Sequence, residues 1–184
     1  MMMSPDDARK LLHEWIEAES LRHHSEMVAH AMYAYAQKLN KPAEEAHAWW
    51  LAGLLHDVDW EKRPDEHPNY ALSQIFPHYE LPETVTGAIR AHAPDRTGRQ
   101  PETEIERYLF ACDELSGFMH AVSLMRPNGF EGMKAKSVTK KLKDKKFAAN
   151  VSREDIREGA ALIGTDLGEH ILFLAGEFEH MQAP

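Results

Sequence analysis

Four stretches of this 184-residue sequence carry side chains that bind divalent cations, placed where such side chains need an explanation. His24 falls on the apolar stripe of HHSEMVAHA, His56-Asp57 closes WLAGLLHD, His92 closes AIRAH, and Asp113 sits inside YLFACDELSGF. A carboxylate in so apolar a helical stretch is almost never fully buried unless it is paired or bound to a cation. Neutral imidazole with carboxylate suits Mn, Fe, Co, Ni or an open Zn site. Cys112 is the only cysteine, so a thiolate cage and an internal disulfide are both excluded. Adjacent residues on a helix point about 100° apart. His56 and Asp57 can therefore share an ion only if it lies beyond the end of their helix, where the last turn loosens. Singly, each position has a plainer reading: His24 as a core histidine, His56-Asp57 as a C-terminal cap, Asp113 as the partner of Arg90 or Arg107. Together they are harder to explain as unrelated.

The elements that must position these residues read as helix after helix. Ser4 with Pro5, Asp6 and Asp7 is an N-cap with proline and acids in the first turn, and it predicts a helix to about Glu19. Leu21, His24, Val28, Ala31 and Tyr35 recur at helical spacing and predict a second, to about Leu39. The third, from Pro42 to Val58, is apolar nearly all round, as a central helix should be. EKRPDEHP is too polar and too proline-broken to continue it. Short helices follow over about 69–76 and 82–92, then a loop, APDRTGRQP. A long helix runs over about 102–125, a lysine-rich one over 137–146, and one last helix from Ser152 to about Met181 on a single apolar stripe. No alternating apolar and polar run bounded by hairpin turns is present. The expected fold is all-α and single-domain, with the metal-site core over about 20–125 and the helices of 133–182 packed on it.

The order His24, His56-Asp57, Asp113 resembles the H…HD…D signature of the HD-domain superfamily of metal-dependent phosphohydrolases. LLHDVDWEKRPDEHP, LPETVTGAIRAH, ACDELSGF and SVTKKLKDKKFA are similar to successive blocks of its small, stand-alone HDIG-type hydrolases. Val58-Asp59 stands where the HDIG tetrad has Ile-Gly. The resemblance implies a helical-bundle domain and a first ion held by His24, His56, Asp57 and Asp113. Binuclear members hold a second ion on two further histidines, which here correspond to His67 and His92, with Asp57 as the bridge. It also implies hydrolysis of a phosphate ester on a nucleotide or another small phosphorylated metabolite, by a metal-activated water. Asp57 would be ligand and orienter of that water, and Glu61 the nearest carboxylate for proton transfer, with Asp59 read as a solvated loop residue.

The charge balance sets the remaining expectations. Lys+Arg 21 against Asp+Glu 30 leaves a net charge of −9, which disfavours general binding to nucleic acid or anionic membrane. An anionic substrate would then need local cations, and Arg90, Lys140 and Lys141 are the candidates. No apolar run approaches the roughly 20 residues that span a bilayer, and MMMSPDDARK lacks the order of a secretory signal. A cytoplasmic protein is expected, and a homodimer is compatible with the sequence. Two other functions share the same residues: a di-iron oxygenase of this fold, and a non-catalytic module stabilised by metal.

Overall fold

The computed structural model describes residues 2–181. Among these there are nine α-helices and no strand: α1 (Pro5–Trp15), α2 (Glu19–Lys38), α3 (Ala43–Leu55), α4 (Glu83–Ala91), α5 (Pro94–Thr97), α6 (Glu104–Leu124), α7 (Ala135–Leu142), α8 (Arg153–Leu162) and α9 (Leu167–Glu179). The all-α expectation holds. One cluster of buried apolar side chains draws on every helix of eight residues or more.

The caps set the helix starts. Ser4 Oγ accepts from the Asp7 N–H at 3.2 Å, Ser152 Oγ from that of Asp155 at 3.1 Å, and Thr103 with Glu106 forms a reciprocal capping box. The expected last helix is in fact two. Gly164, at φ +67°, leaves the helical region, and Asp166 then accepts from Gly168 and Glu169 to start α9. A continuous apolar stripe concealed that break, because both helices turn their apolar faces to the same core. APDRT, expected as loop, contains the single turn α5. The lysine-rich helix ends at Leu142.

The site is built where α2, α3, α4 and α6 meet. α2 and α3 pack most extensively, and their approach is close. A Cβ on Gly53 would lie 2.7 Å from the Ala29 Cα, so only glycine lets the two backbones touch there. α3 stops at Leu55, three residues short of the expected end, with His56 as its C-cap. Residues 56–68 then form a turn-rich loop leading to a π-helical turn, Ala71–Ile75. That loop is tied back to the body by Lys62, which donates to the Glu14 carbonyl at 2.7 Å, and by Glu61, which accepts from the Glu17 and Ala18 N–H groups at 2.5 and 3.1 Å.

Candidate metal centre

His24 comes from α2, His56 from the end of α3, Asp57 from the turn after it, and Asp113 from the middle of α6. Their donor atoms all lie within 4.8 Å of one another. His24 Nε2 is 2.9 Å from Asp113 Oδ1, and His56 Nε2 is 3.2 Å from the same oxygen and 3.4 Å from Asp57 Oδ2. A second set lies on the other side of Asp57. His67, from the loop, and His92, from the end of α4, bring their Nε2 atoms to 3.3 and 3.7 Å from Asp57 Oδ1. Asp57 belongs to both sets, one oxygen turned to each.

The chemistry of the donors tests whether these sets fit cations. The Nδ1 of His56 lies 2.7 Å from the Gly53 carbonyl, and that of His92 lies 2.5 Å from the Ile89 carbonyl. Carbonyls only accept, so each Nδ1 carries a proton, and Nε2 is the ring atom left to face the carboxylates. His67 Nδ1 faces the Asp59 carboxylate at 2.7 Å, with the same consequence. The His67 and His92 Nε2 atoms then meet at 3.2 Å, beside Asp57 Oδ1. Three lone pairs converge there, and a cation satisfies them all. His56 Nε2 is buried and makes no hydrogen bond, although two carboxylate oxygens stand close to it. An orphaned buried nitrogen between carboxylates is ligand geometry.

Electrostatics agrees. Burial alone would lower the His56 pKa, but the Asp57 and Asp113 carboxylates override it and hold the imidazole well above its ordinary value. Burial would likewise raise Asp57 and Asp113, and the facing histidines hold both well below the carboxylate range. The enclosure favours positive charge.

Both sets open on a cavity of about 720 Å³. Glu114 lines it next to Asp113; burial first, then the Asp113 charge, push its carboxyl up to about 7, and it accepts from the Ser152 N–H at 3.0 Å. Among the described residues, Arg96 is the only arginine or lysine in the lining. Its Nη1 donates to the Pro64 and His67 carbonyls at 2.7 and 3.2 Å, and its guanidinium carbon lies 5.3 Å from the Trp60 ring centroid.

Several expectations change. Glu61 does not line this cavity; its carboxylate accepts from the N–H groups of Glu17 and Ala18, in the link just ahead of α2. Asp59, expected in solvent, is fully buried and bonded through both oxygens, to His67 Nδ1 and to the Ala71 N–H at 2.8 Å. Arg90 lies 3.6 Å from Glu83 in the wall of a separate cavity of about 430 Å³ between α3, α4 and α6. Lys140 is exposed, and the Lys141 ammonium sits 4.8 Å from the Phe147 ring centroid; neither lines the metal-side cavity. Asp113 takes neither arginine as partner; it faces His24 and His56. Sequence reasoning missed Glu114, for which the adjacent Asp113 was the available signal, and the buried contacts of Asp59 with His67 and Ala71. A second acid two residues after the HD pair was visible, but not the donors that would enclose it.

No curated protein and no solved structure matches the chain. The HD domain family model matches residues 21–117, the segment that contains His24, His56, Asp57, His67, His92 and Asp113. That match covers more than half of the sequence, and its span carries both ligand sets. The chain belongs to the HD-domain family.

Proposed function

We propose that the protein is a hydrolase of phosphate esters that works with two divalent ions per chain, on a nucleotide or another small phosphorylated metabolite. The observation that carries this reading is the position of Asp57, which turns one oxygen to the His24–His56–Asp113 set and the other to His67–His92. Bound at those sets, divalent ions supply a water acidified to near neutral pH and positive charge for the phosphoryl oxygens.

The chain's own residues account for the rest. The first set has four protein ligands and the second three, so the second leaves more positions for water and substrate. Their shared cavity admits a small ester. With Arg96 committed to backbone carbonyls and Trp60, the phosphoryl charge falls on the ions rather than on side-chain cations. Glu114 is the carboxyl outside the ligand sets that stands beside Asp113 in the cavity wall, in reach of a leaving group that needs a proton.

The test is phosphate release from a panel of nucleotides, dinucleoside polyphosphates and sugar phosphates by metal-loaded and by chelator-treated protein. Release from at least one class, lost on chelation and restored by divalent metal, is expected. A metal-replete protein that releases phosphate from none of them would defeat the hydrolase reading and favour the oxygenase.

A further inference from the structure

Of the four histidines that turn Nε2 toward Asp57, three have a hydrogen-bond partner for Nδ1, and they are held in two different ways. His56 and His92 each donate Nδ1–H to the carbonyl three residues back in their own helix, Gly53 and Ile89. Local helix geometry alone orients them. His67 lies in the turn-rich loop, and the acceptor for its Nδ1–H is Asp59, eight residues earlier. Asp59 has no other exit: it is 0 % exposed, and its second oxygen accepts from the Ala71 N–H. A chain of contacts thus runs from the backbone at Ala71 through Asp59 to His67, whose Nε2 lies 3.3 Å from Asp57 Oδ1.

We propose that Asp59 is the positioning residue of the second ion. It keeps the proton of His67 on Nδ1 and the lone pair of Nε2 aimed at the Asp57–His92 side, so it governs occupancy of that set and leaves the His24–His56–Asp57–Asp113 set alone. The proposal rests on the two-ion reading above. A carboxylate behind a ligating imidazole fixes its tautomer and raises its basicity, and removing such a partner typically weakens metal binding 10- to 100-fold. The first set has no such dependence, since no ligand in it contacts Asp59 among the described residues.

The informative substitution is Asp59→Asn, which keeps shape and removes one acceptor. The Ala71 N–H cannot change its role, so the amide oxygen stays with it and the amide NH₂ turns to His67 Nδ1. His67 must then accept there and carry its proton on Nε2, where it blocks the ion. Wild-type and variant protein are loaded with Mn(II), counted by elemental analysis and examined by electron paramagnetic resonance, with circular dichroism as the check on folding. The expected result is two ions with a spin-coupled signal in the wild type. The folded variant should hold one ion with an isolated-Mn signal, and its affinity for the second should fall 10- to 100-fold. A folded variant that still binds two ions as tightly overturns the proposal and leaves the two-ion reading intact. Equal loss of both ions overturns it too, since Asp59 would then be only a staple of the loop. A wild type that binds one ion under saturating metal removes the two-ion reading and the proposal together. Should Asp59→Asn fail to fold, the imidazole nitrogen spectrum of zinc-loaded wild type decides. Ligation of His67 through Nε2, with a hydrogen-bonded proton on Nδ1, is expected, and ligation through Nδ1 overturns the assignment.

Discussion

The two oxygens of Asp57 do different work. One faces His24 and His56, the other His67 and His92, and the carboxylate is held well below its ordinary pKa against the pull of burial. Around it, Nδ1 protons given to Gly53, Ile89 and Asp59 leave the Nε2 atoms of His56, His92 and His67 facing inward. The Nε2 lone pairs of His67 and His92, 3.2 Å apart beside Asp57 Oδ1, repel unless a cation joins them. The arrangement is therefore costly as a mere packing device and coherent as a ligand cage.

At the scale of the element, the position of Glu61 shows how a loop residue next to a site can belong to the scaffold. Its carboxylate receives the N–H groups of Glu17 and Ala18 just ahead of α2, the helix that carries His24. Glu61→Ala should lower the unfolding free energy by about 1–2 kcal/mol, the usual loss when backbone N–H groups are left without their acceptor. Metal content and turnover should stay unchanged, as chemical denaturation beside a metal assay would show. The helices themselves were largely legible. Ser4 and Ser152 announced their starts, and His24 on α2 and Asp113 on α6 lie in the helices the sequence predicts. The break between α8 and α9 was not legible, because periodicity records which face is apolar and not whether Gly164 leaves the helix. Nor was the destination of Glu61 or Asp59. Their roles depend on N–H donors at Glu17, Ala18 and Ala71, and only the folded loop brings those near.

At the scale of the whole molecule, the cluster of histidines and aspartates was more legible than the rest of the cavity wall. Such a cluster announces itself because histidine and aspartate are expensive among apolar residues. Arg90, Lys140 and Lys141 are cheap on any surface, and their charge alone did not say which cavity they face. The helices behind the site are joined by a buried group of another kind. His170 of α9 accepts from the Tyr35 hydroxyl of α2 at 2.5 Å and donates to the Ala111 carbonyl of α6 at 2.9 Å. Burial lowers its pKa to about 4 from an ordinary 6.5. The unfolded chain therefore binds a proton between those values that the folded one refuses. The stabilisation is full above pH 6.5 and is lost as pH falls toward 4, by on the order of 3 kcal/mol. Denaturation of wild type and His170→Gln across that range should show the variant's stability depending less on pH. Parallel curves would remove His170 from the account.

The claim that two ions share Asp57 is tested most directly by counting metal in Asp57→Asn. Asparagine keeps the shape but offers one oxygen, without charge, where two ligand sets each need one. The wild type should hold two divalent ions per chain after reconstitution, and the folded variant should lose tight binding at both sets. A folded Asp57→Asn protein that still holds two ions as tightly as the wild type would contradict the shared centre outright.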